Sequence, residues 1–231
     1  MVDVRMSGER RPHIGRVVRD GFVFDPKNEM GERKSLSPND MSASISRLFE
    51  RLDARGVNYV LVGGVAMLQY VDGRNTQDLD LIVALDELAA VPGVEETGDP
   101  NSARATFEGL QIDVLRAEHA LFDEVRRKHS TERAFAERRI RCATVEGLLL
   151  LKLFALPSLY RQGRLTRAGI YESDIAALLH EQDPDLEPLF ETLRSHLLET
   201  DIGELRAIVG EIRERADRFG QNAPPDESDD A

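Results

Sequence analysis

The sequence predicts an α/β fold of the α+β kind: a small mixed sheet flanked by helices, with a helical C-terminal region. Two short runs of β-branched and apolar residues, 57–62 and 79–83, are predicted to be strands. A nearly continuous apolar helix pattern begins at Val145, and amphipathic helix patterns follow it to the end of the chain. Strand patterns that come first and helix patterns that come second indicate segregated sheet and helices.

Composition limits the class of protein. The chain has 231 residues, of which 41% are hydrophobic and 31% charged, as in a soluble globular protein. No apolar run approaches the roughly 18 residues of a membrane span, and residues 1–15 lack the apolar core of a secretory signal. Cys142 is the single cysteine, which excludes an internal disulfide and fits a small buried residue better than a nucleophile. A cytoplasmic protein with no membrane contact is expected.

Charge is unevenly distributed along the chain. The net charge is −12, which argues against a protein that coats nucleic acid. Between Arg126 and Arg167, however, there are eleven Lys and Arg residues against three acids. We call this stretch the basic segment; it suits phosphates of a nucleotide or RNA, and its alternative interpretation is the solvated face of a helix.

Four regions are expected along the chain. Residues 1–40 form an N-terminal arm, partly irregular, with a small hairpin over 14–24. Residues 41–143 form the core, and residues 144–220 form the helical C-terminal region. Residues 221–231, with two prolines and four acids, are expected to be a disordered acidic tail.

The elements of the core follow from apolar spacing and turn residues. Ile45, Leu48, Phe49 and Leu52 recur at helical spacing and predict a helix that ends near Gly56. The remaining core elements are a helix over 65–70, a helix over 86–90, a linker over 92–100, a hairpin of strands 103–107 and 110–115, a helical stretch over 118–138 with a break near residue 130, and a strand over 140–143.

The C-terminal helices begin at Thr144, whose hydroxyl can cap a helix over 145–155. Pro157 is expected to end that helix, and a loop carrying three arginines then leads to a helix near Tyr171. Two amphipathic helices follow, over about 186–197 and 202–219.

The chemistry of the chain centres on Asp78 and Asp80. Alternation along a strand places both side chains on one side, with Leu79 and Leu81 on the other. Like charges that close together repel unless a cation or a proton lies between them, and hard oxygen ligands suit Mg²⁺. Taken alone, Asp-Leu-Asp is more often an ordinary strand end with two solvated acids, so its surroundings decide the interpretation.

Those surroundings carry a family resemblance. Gly63 and Gly64 follow the first strand, thirteen residues separate Gly64 from the first aspartate, and Arg74 and Thr76 lie between them. This order of strand, Gly-Gly, short helix and Asp-Leu-Asp-Leu resembles the DNA polymerase beta-like nucleotidyltransferase superfamily. Over residues 45–180 it resembles in particular the AbiEii-type branch, which includes the MenT-type toxins of toxin–antitoxin systems.

The resemblance implies an activity and a set of ligands. The activity is transfer of a nucleoside monophosphate from an NTP such as ATP to an acceptor hydroxyl, with release of pyrophosphate. The two aspartates of the motif would bind Mg²⁺, or Mn²⁺ in its place, as catalytic metal ligands. Gly63 and Gly64 would contact phosphate through backbone N–H groups, and Arg74 and Thr76 would bind the nucleotide.

Asp113 is the candidate for a third metal ligand. In the predicted second hairpin strand, Gln111 and Asp113 face opposite to the apolar residues. Superfamily members often carry a third carboxylate on a neighbouring strand, and Asp113 would then complete a two-metal site. The alternative is a polar residue on an exposed sheet face.

Lys152 and Asp174 are the candidates in the helical region. Lys152 interrupts the apolar run of its helix, and it either snorkels to solvent or offsets its burial by reaching an anion. The resemblance matches it to a family lysine that holds nucleotide phosphate. Asp174 matches an acidic residue that contacts this lysine or the attacking hydroxyl; it also suits the first turn of a helix. The family's Lys-Asp pair before it is absent here, where Glu172 and Ser173 stand.

The acceptor remains open among several classes. The first is the 3′ end of tRNA, for a toxin held in check by an antitoxin. The second is a Ser, Thr or Tyr hydroxyl of a partner protein. A catalytically silent binding protein and a small-molecule modifier, like the enzymes that inactivate aminoglycosides, are further alternatives.

Overall fold

The computed structural model describes residues 38–72, 76, 78–97, 99–135 and 138–220. Most of the N-terminal arm, with its expected hairpin, and the acidic tail lie outside these residues. The described part of the chain forms eight helices and seven strands. In chain order they are α1 (Pro38–Ala54), β1 (Tyr59–Val62), α2 (Gly63–Met67), β2 (Leu79–Val83), α3 (Leu85–Leu88), β3 (Val94–Glu96), β4 (Ser102–Phe107), β5 (Leu110–Arg116), α4 (Ala120–Lys128), β6 (Ser130–Phe135), β7 (Arg138–Ala143), α5 (Val145–Arg161), α6 (Leu165–Gln182), α7 (Glu187–Arg194) and α8 (Glu199–Gly220).

The strands form one mixed sheet in the order β3-β4-β5-β2-β1-β7-β6. The β1/β2, β3/β4 and β4/β5 pairs are antiparallel, whereas β2/β5 and β1/β7 are parallel. Every residue of β1 is buried, and in β2 only Asp80 is not. The predicted mixed sheet followed by helices is therefore confirmed, with the two signature strands at its centre.

The chain divides into two compact units. A sheet unit comprises residues up to 118 together with 131–142, and a helical unit comprises 119–130 together with 143 onwards. Helix α4 thus belongs with the C-terminal helices, although it precedes two strands of the sheet in the sequence. No helix in the described ranges has both the length and the apolarity that a membrane span requires.

An aromatic cluster holds α1 in the core of the sheet unit. Phe49 of α1 is fully buried and stacks on Tyr59 of β1, with ring centroids 5.1 Å apart. Phe135 of β6 meets Phe49 edge-on at 5.2 Å, so three elements share one contact. Such ring pairs contribute about 0.5–1.5 kcal/mol beyond the area they bury.

The helical stretch expected over 118–138 is wrong in its second half. Ser130–Phe135 is strand β6, at the end of the sheet order. Its exposure alternates: Glu132 and Ala134 are exposed, and Thr131, Arg133 and Phe135 are more buried. Pairing with β7 therefore overrides the helical propensity of Thr-Glu-Arg-Ala-Phe.

Three further sequence expectations differ from the structure. Helix α6 begins at Leu165 rather than near Tyr171, so Asp174 lies in its middle and not in its first turn. Helix α5 does not end at Pro157 but continues to Arg161. A proline inside a helix removes one backbone hydrogen bond, and burial of Leu156 and Leu159 on either side offsets that loss. The linker expected over 92–100 contains strand β3, which pairs with β4.

Candidate active site in the sheet unit

The glycine motif and the aspartate motif meet where β1 ends. Strands β1 and β2 are antiparallel, and Val62, the last residue of β1, is the register partner of Asp80. Gly63 follows Val62 directly and begins helix α2. Residues that are seventeen positions apart in the sequence, Gly63 and Asp80, are thereby brought side by side.

Gly63 lies unusually close to the carboxylate of Asp80. A Cβ atom at residue 63 would fall 1.9 Å from Asp80 Oδ2 and 2.4 Å from its Cγ. Gly63 also has a φ of +65°, in the left-handed region that favours glycine. Position 63 is thus restricted to glycine by both its conformation and the carboxylate that occupies the space of a side chain.

Gly64 and Thr76 have less specific surroundings. Gly64 is buried in α2, a helix of five residues. Thr76 is partly buried, and its hydroxyl donates to the backbone carbonyl of Asp78 at 3.4 Å. Arg74 lies outside the described residues. Nucleotide binding by Arg74 and Thr76, and phosphate contact by the two glycines, remain predictions.

The two motif carboxylates differ in exposure. Asp78 precedes β2 and is exposed, whereas Asp80 lies within β2 and is partly buried. Asp80 lies on the face opposite to Leu79 and Leu81, both of which are completely buried. This arrangement holds one carboxylate against the backbone at Gly63 and leaves the other accessible to solvent.

Asp113 is next to Asp80 in the sheet and forms an ion pair with an arginine. Asp80 and Asp113 are register partners on the parallel strands β2 and β5. Asp113 is in turn the register partner of Arg104 on β4, whose Nε donates to Asp113 Oδ1 at 3.1 Å. Register partners point to the same face, so Asp80, Asp113 and Arg104 form a row across three strands. The hairpin predicted over 103–107 and 110–115 implies that residue 104 lies opposite residue 113, but the contact between Arg104 and the Asp113 carboxylate was not predicted.

The residues of this site fit a divalent cation. Asp78 and Asp80 supply hard oxygen donors, and Mg²⁺ typically takes one or two carboxylates and completes its shell with water and phosphate oxygens. The missing Cβ at Gly63 is what lets Asp80 occupy its place. Within the described ranges, no three His, Cys, Asp or Glu side chains are grouped so as to hold a metal ion, so the structure does not unite Asp113 with the other two carboxylates.

The helical unit contains the second pair of candidates. Lys152 of α5 donates to Asp174 Oδ2 of α6 at 2.6 Å, and both residues are about 5% exposed. The Lys152 ammonium also lies 4.7 Å from the ring centroid of Tyr171. The prediction that Asp174 contacts Lys152 therefore agrees with this geometry. That Lys152 holds nucleotide phosphate remains a prediction.

The basic segment is largely neutralised within each unit. Ion pairs to acids hold at least seven of its eleven basic side chains: Arg126, Arg127, Lys128, Arg138, Arg139, Lys152 and Arg161. The hydrogen bond from Arg126 lowers the pKa of its partner Asp123. Pairing with Asp53 and Asp201, which are distant in the sequence, was not foreseen. Most of the basic side chains counted in the sequence thus have an acidic partner within the protein.

Comparison with known proteins identifies structures with a similar fold. No protein-family model matches the chain, and no curated protein matches it. An antigenic nucleotidyltransferase-like protein from Paracoccidioides brasiliensis has a similar structure, with a TM-score of 0.51 and 15% identity over 79% of this chain and 93% of that one. The similarity shows a fold of nucleotidyltransferase type.

Two further similar structures are of the antibiotic-resistance factor ANT(2'')-Ia. The solution structure has a TM-score of 0.47 and 13% identity over 80% of this chain and 99% of that one. The crystal structure with adenylyl-2"-tobramycin has the same TM-score and identity, over 76% of this chain and 98% of that one.

Proposed function

We propose that this chain is a Mg²⁺-dependent nucleotidyltransferase of the AbiEii type, acting in the cytoplasm. The observation that carries the proposal is the contact between the two sequence motifs: Gly63, at a φ of +65°, leaves the space that Asp80 occupies at the end of β1. A fold of nucleotidyltransferase type supports it. Burial and core packing alone do not require a partly buried carboxylate against a left-handed glycine.

The proposed step is a substitution at the α-phosphorus of an NTP. The acceptor hydroxyl oxygen forms a bond to this phosphorus, the bond to the bridging oxygen breaks, and pyrophosphate leaves with the electron pair; the hydroxyl proton passes to solvent. Asp78 and Asp80 would hold the cation through their carboxylate oxygens. When bound, Mg²⁺ supplies the positive charge that stabilises the transferring phosphoryl group.

Lys152 and Asp174 have a proposed role of their own. As in the AbiEii-type branch, the ammonium of Lys152 would neutralise phosphate charge, and Asp174 would hold it in place or contact the attacking hydroxyl. The buried 2.6 Å bond between them supports a fixed orientation of the ammonium.

The acceptor proposed first is the 3′ end of tRNA, which would make the chain a toxin with a cognate antitoxin. Expression would then arrest growth, and Asp80→Ala would abolish the arrest. A second candidate acceptor is a hydroxyl of a partner protein. The ion pairs within the basic segment and the net charge of −12 favour this second candidate, because an RNA ligand needs accessible positive charge.

The decisive experiment is incubation with each α-labelled NTP, Mg²⁺ and either total RNA or cell extract. We expect label on an acceptor with wild type and a loss of at least about 10²-fold with Asp80→Asn, because a charge that stabilises the reacting phosphate is removed. Asp86→Asn, an exposed acid of α3 with the same charge change, should retain activity. The labelled species identifies the base and the acceptor class. Absence of transfer with every NTP and both acceptor pools would reject the proposed enzymatic activity.

A further inference from the structure

The row formed by Asp80, Asp113 and Arg104 determines how many cations the site can hold. Asp80 and Asp113 are opposite each other on β2 and β5, strands that lie about 4.8 Å apart. Asp113 is the third carboxylate expected at this site, so it is the ligand that a second cation would use. The guanidinium of Arg104 already occupies Oδ1 of Asp113 at 3.1 Å.

Arg104 is well placed to keep this contact. It is directly opposite Asp113 in the antiparallel register of β4 and β5, so the shortest path of its side chain runs along the sheet face toward Asp113. The Asp113 side chain is 23% exposed and that of Arg104 is 55% exposed, so the carboxylate is the more buried partner of the pair. A guanidinium keeps its charge at every pH at which proteins are folded.

We infer that Arg104 takes the place of a second metal ion. The protein carboxylates that bind the cation are Asp78 and Asp80, and Asp113 is held outside the metal shell by Arg104, which acts as a positioning residue. In the described part of the chain no three potential ligands are grouped around one metal position, in agreement with this assignment. The inference rests on the proposed function, because it concerns the cation of that same site.

The inference predicts which carboxylates matter for cation binding. Mn²⁺ alone, titrated into the full chain, is measured by electron paramagnetic resonance, in which the signal of free Mn²⁺ falls as ions bind. We expect wild type to bind one ion and Asp113→Asn to bind one ion with unchanged affinity. Asp80→Asn should lose affinity by about 10-fold or more, as expected when a carboxylate of a metal site is removed.

Removal of Arg104 should release Asp113. We expect Arg104→Gln to bind a second Mn²⁺, and the double variant Arg104→Gln/Asp113→Asn to return to one. Arg51→Gln is the matched control, because it removes an exposed arginine from α1 in the same unit. Thermal unfolding of each variant checks that it is folded, and the Asp113→Asn measurement does not depend on the Arg104 variant.

Three outcomes would overturn the inference. An equal loss of Mn²⁺ affinity in Asp113→Asn and Asp80→Asn would make Asp113 a ligand. A single Mn²⁺ in Arg104→Gln, as in Arg51→Gln, would remove the role of Arg104. Absence of Mn²⁺ binding by wild type would reject the inference and the proposed metal site together. Normal Mn²⁺ results without any nucleotide transfer would instead reject the proposed function and leave the inference standing.

Discussion

At the scale of single residues, Gly63 is the position where a small change has the most specific consequence. Gly63→Ala places a Cβ atom 1.9 Å from Asp80 Oδ2 and forces an L-residue to a φ of +65°. We expect the Asp80 carboxylate to be displaced, nucleotide transfer to fall by at least about 10²-fold, and stability to drop by about 1–3 kcal/mol. The α-labelled NTP assay and urea unfolding measure the two effects.

Gly56→Ala is the control for the backbone. Gly56 has a φ of +69° in the same unit, and a Cβ there would meet nothing within 4 Å. The Gly56→Ala substitution should lower the free energy of unfolding by about 1–2 kcal/mol, because of the backbone conformation alone, and leave nucleotide transfer unchanged. Equal activity in both variants would show that the contact between residue 63 and Asp80 has no catalytic importance.

Cys142 provides a second prediction at this scale. Burial in β7 raises the pKa of its thiol from an ordinary value of 9.0 to about 12, although the nearby Arg133 charge opposes this. The folded protein should therefore resist iodoacetamide at pH 8 and react only after unfolding, because the thiolate is the reactive form. Rapid modification of the native protein at one equivalent per chain would contradict the burial.

The same shift affects stability at high pH. A folded-state pKa above the unfolded value means that the contribution of Cys142 is complete below about pH 9 and is lost as the pH rises toward about 12. Burial also raises the pKa of Tyr59, so its effect has the same sign. Urea unfolding at pH 7 and pH 10.5 should show a fall in stability that is smaller in Cys142→Ala.

At the scale of elements, α5 and α6 are joined by the buried Lys152–Asp174 pair. Lys152→Met or Asp174→Leu alone leaves an uncompensated buried charge and should cost about 3–5 kcal/mol. The double variant Lys152→Met/Asp174→Leu should recover most of this loss, because two apolar side chains can replace a buried ion pair. Urea unfolding of all four proteins gives the coupling energy.

The double variant also separates structure from chemistry. If Lys152 only joins two helices, the recovered protein will transfer nucleotide as wild type does. We expect it to be stable and inactive, because an ammonium that neutralises phosphate has no apolar substitute. Full activity in the double variant would contradict the phosphate role of Lys152.

Elements that were predicted well have strong local signals. The β4/β5 hairpin has alternating residues around Glu108-Gly109, and Thr144 caps α5 by accepting from the Gly147 N–H at 3.3 Å. Strand β6 was missed because its residues favour a helix in isolation and pair with β7 only in the sheet. Propensity therefore fails where pairing between strands supplies the stabilisation.

At the scale of the whole molecule, the net charge predicts weak attraction to RNA. The chain carries −12, and at least seven side chains of the basic segment are paired with acids. We expect total tRNA to bind no more tightly than about 1 μM at 150 mM salt, with a shallow dependence of log affinity on log salt. Filter binding at several salt concentrations measures both quantities.

A steep salt dependence would contradict the pairing. A slope near −5 or beyond would mean that about five or more phosphates are neutralised, so the arginines must leave their acidic partners. Weak binding alone does not exclude tRNA as an acceptor, since transfer to its 3′ end is measured separately with the labelled NTPs.

Local periodicity and motif spacing were sufficient to predict the class of fold and the two signature strands, and to propose Gly63, Asp78 and Asp80 as candidate site residues. The contacts between side chains became known from the folded structure. It brought Gly63 against Asp80, paired Asp113 with Arg104, and joined Lys152 to Asp174. The first and last of these contacts join residues that are distant in the sequence and meet only when β1 pairs with β2 and α5 packs on α6. The Arg104–Asp113 pair follows the register of a local hairpin.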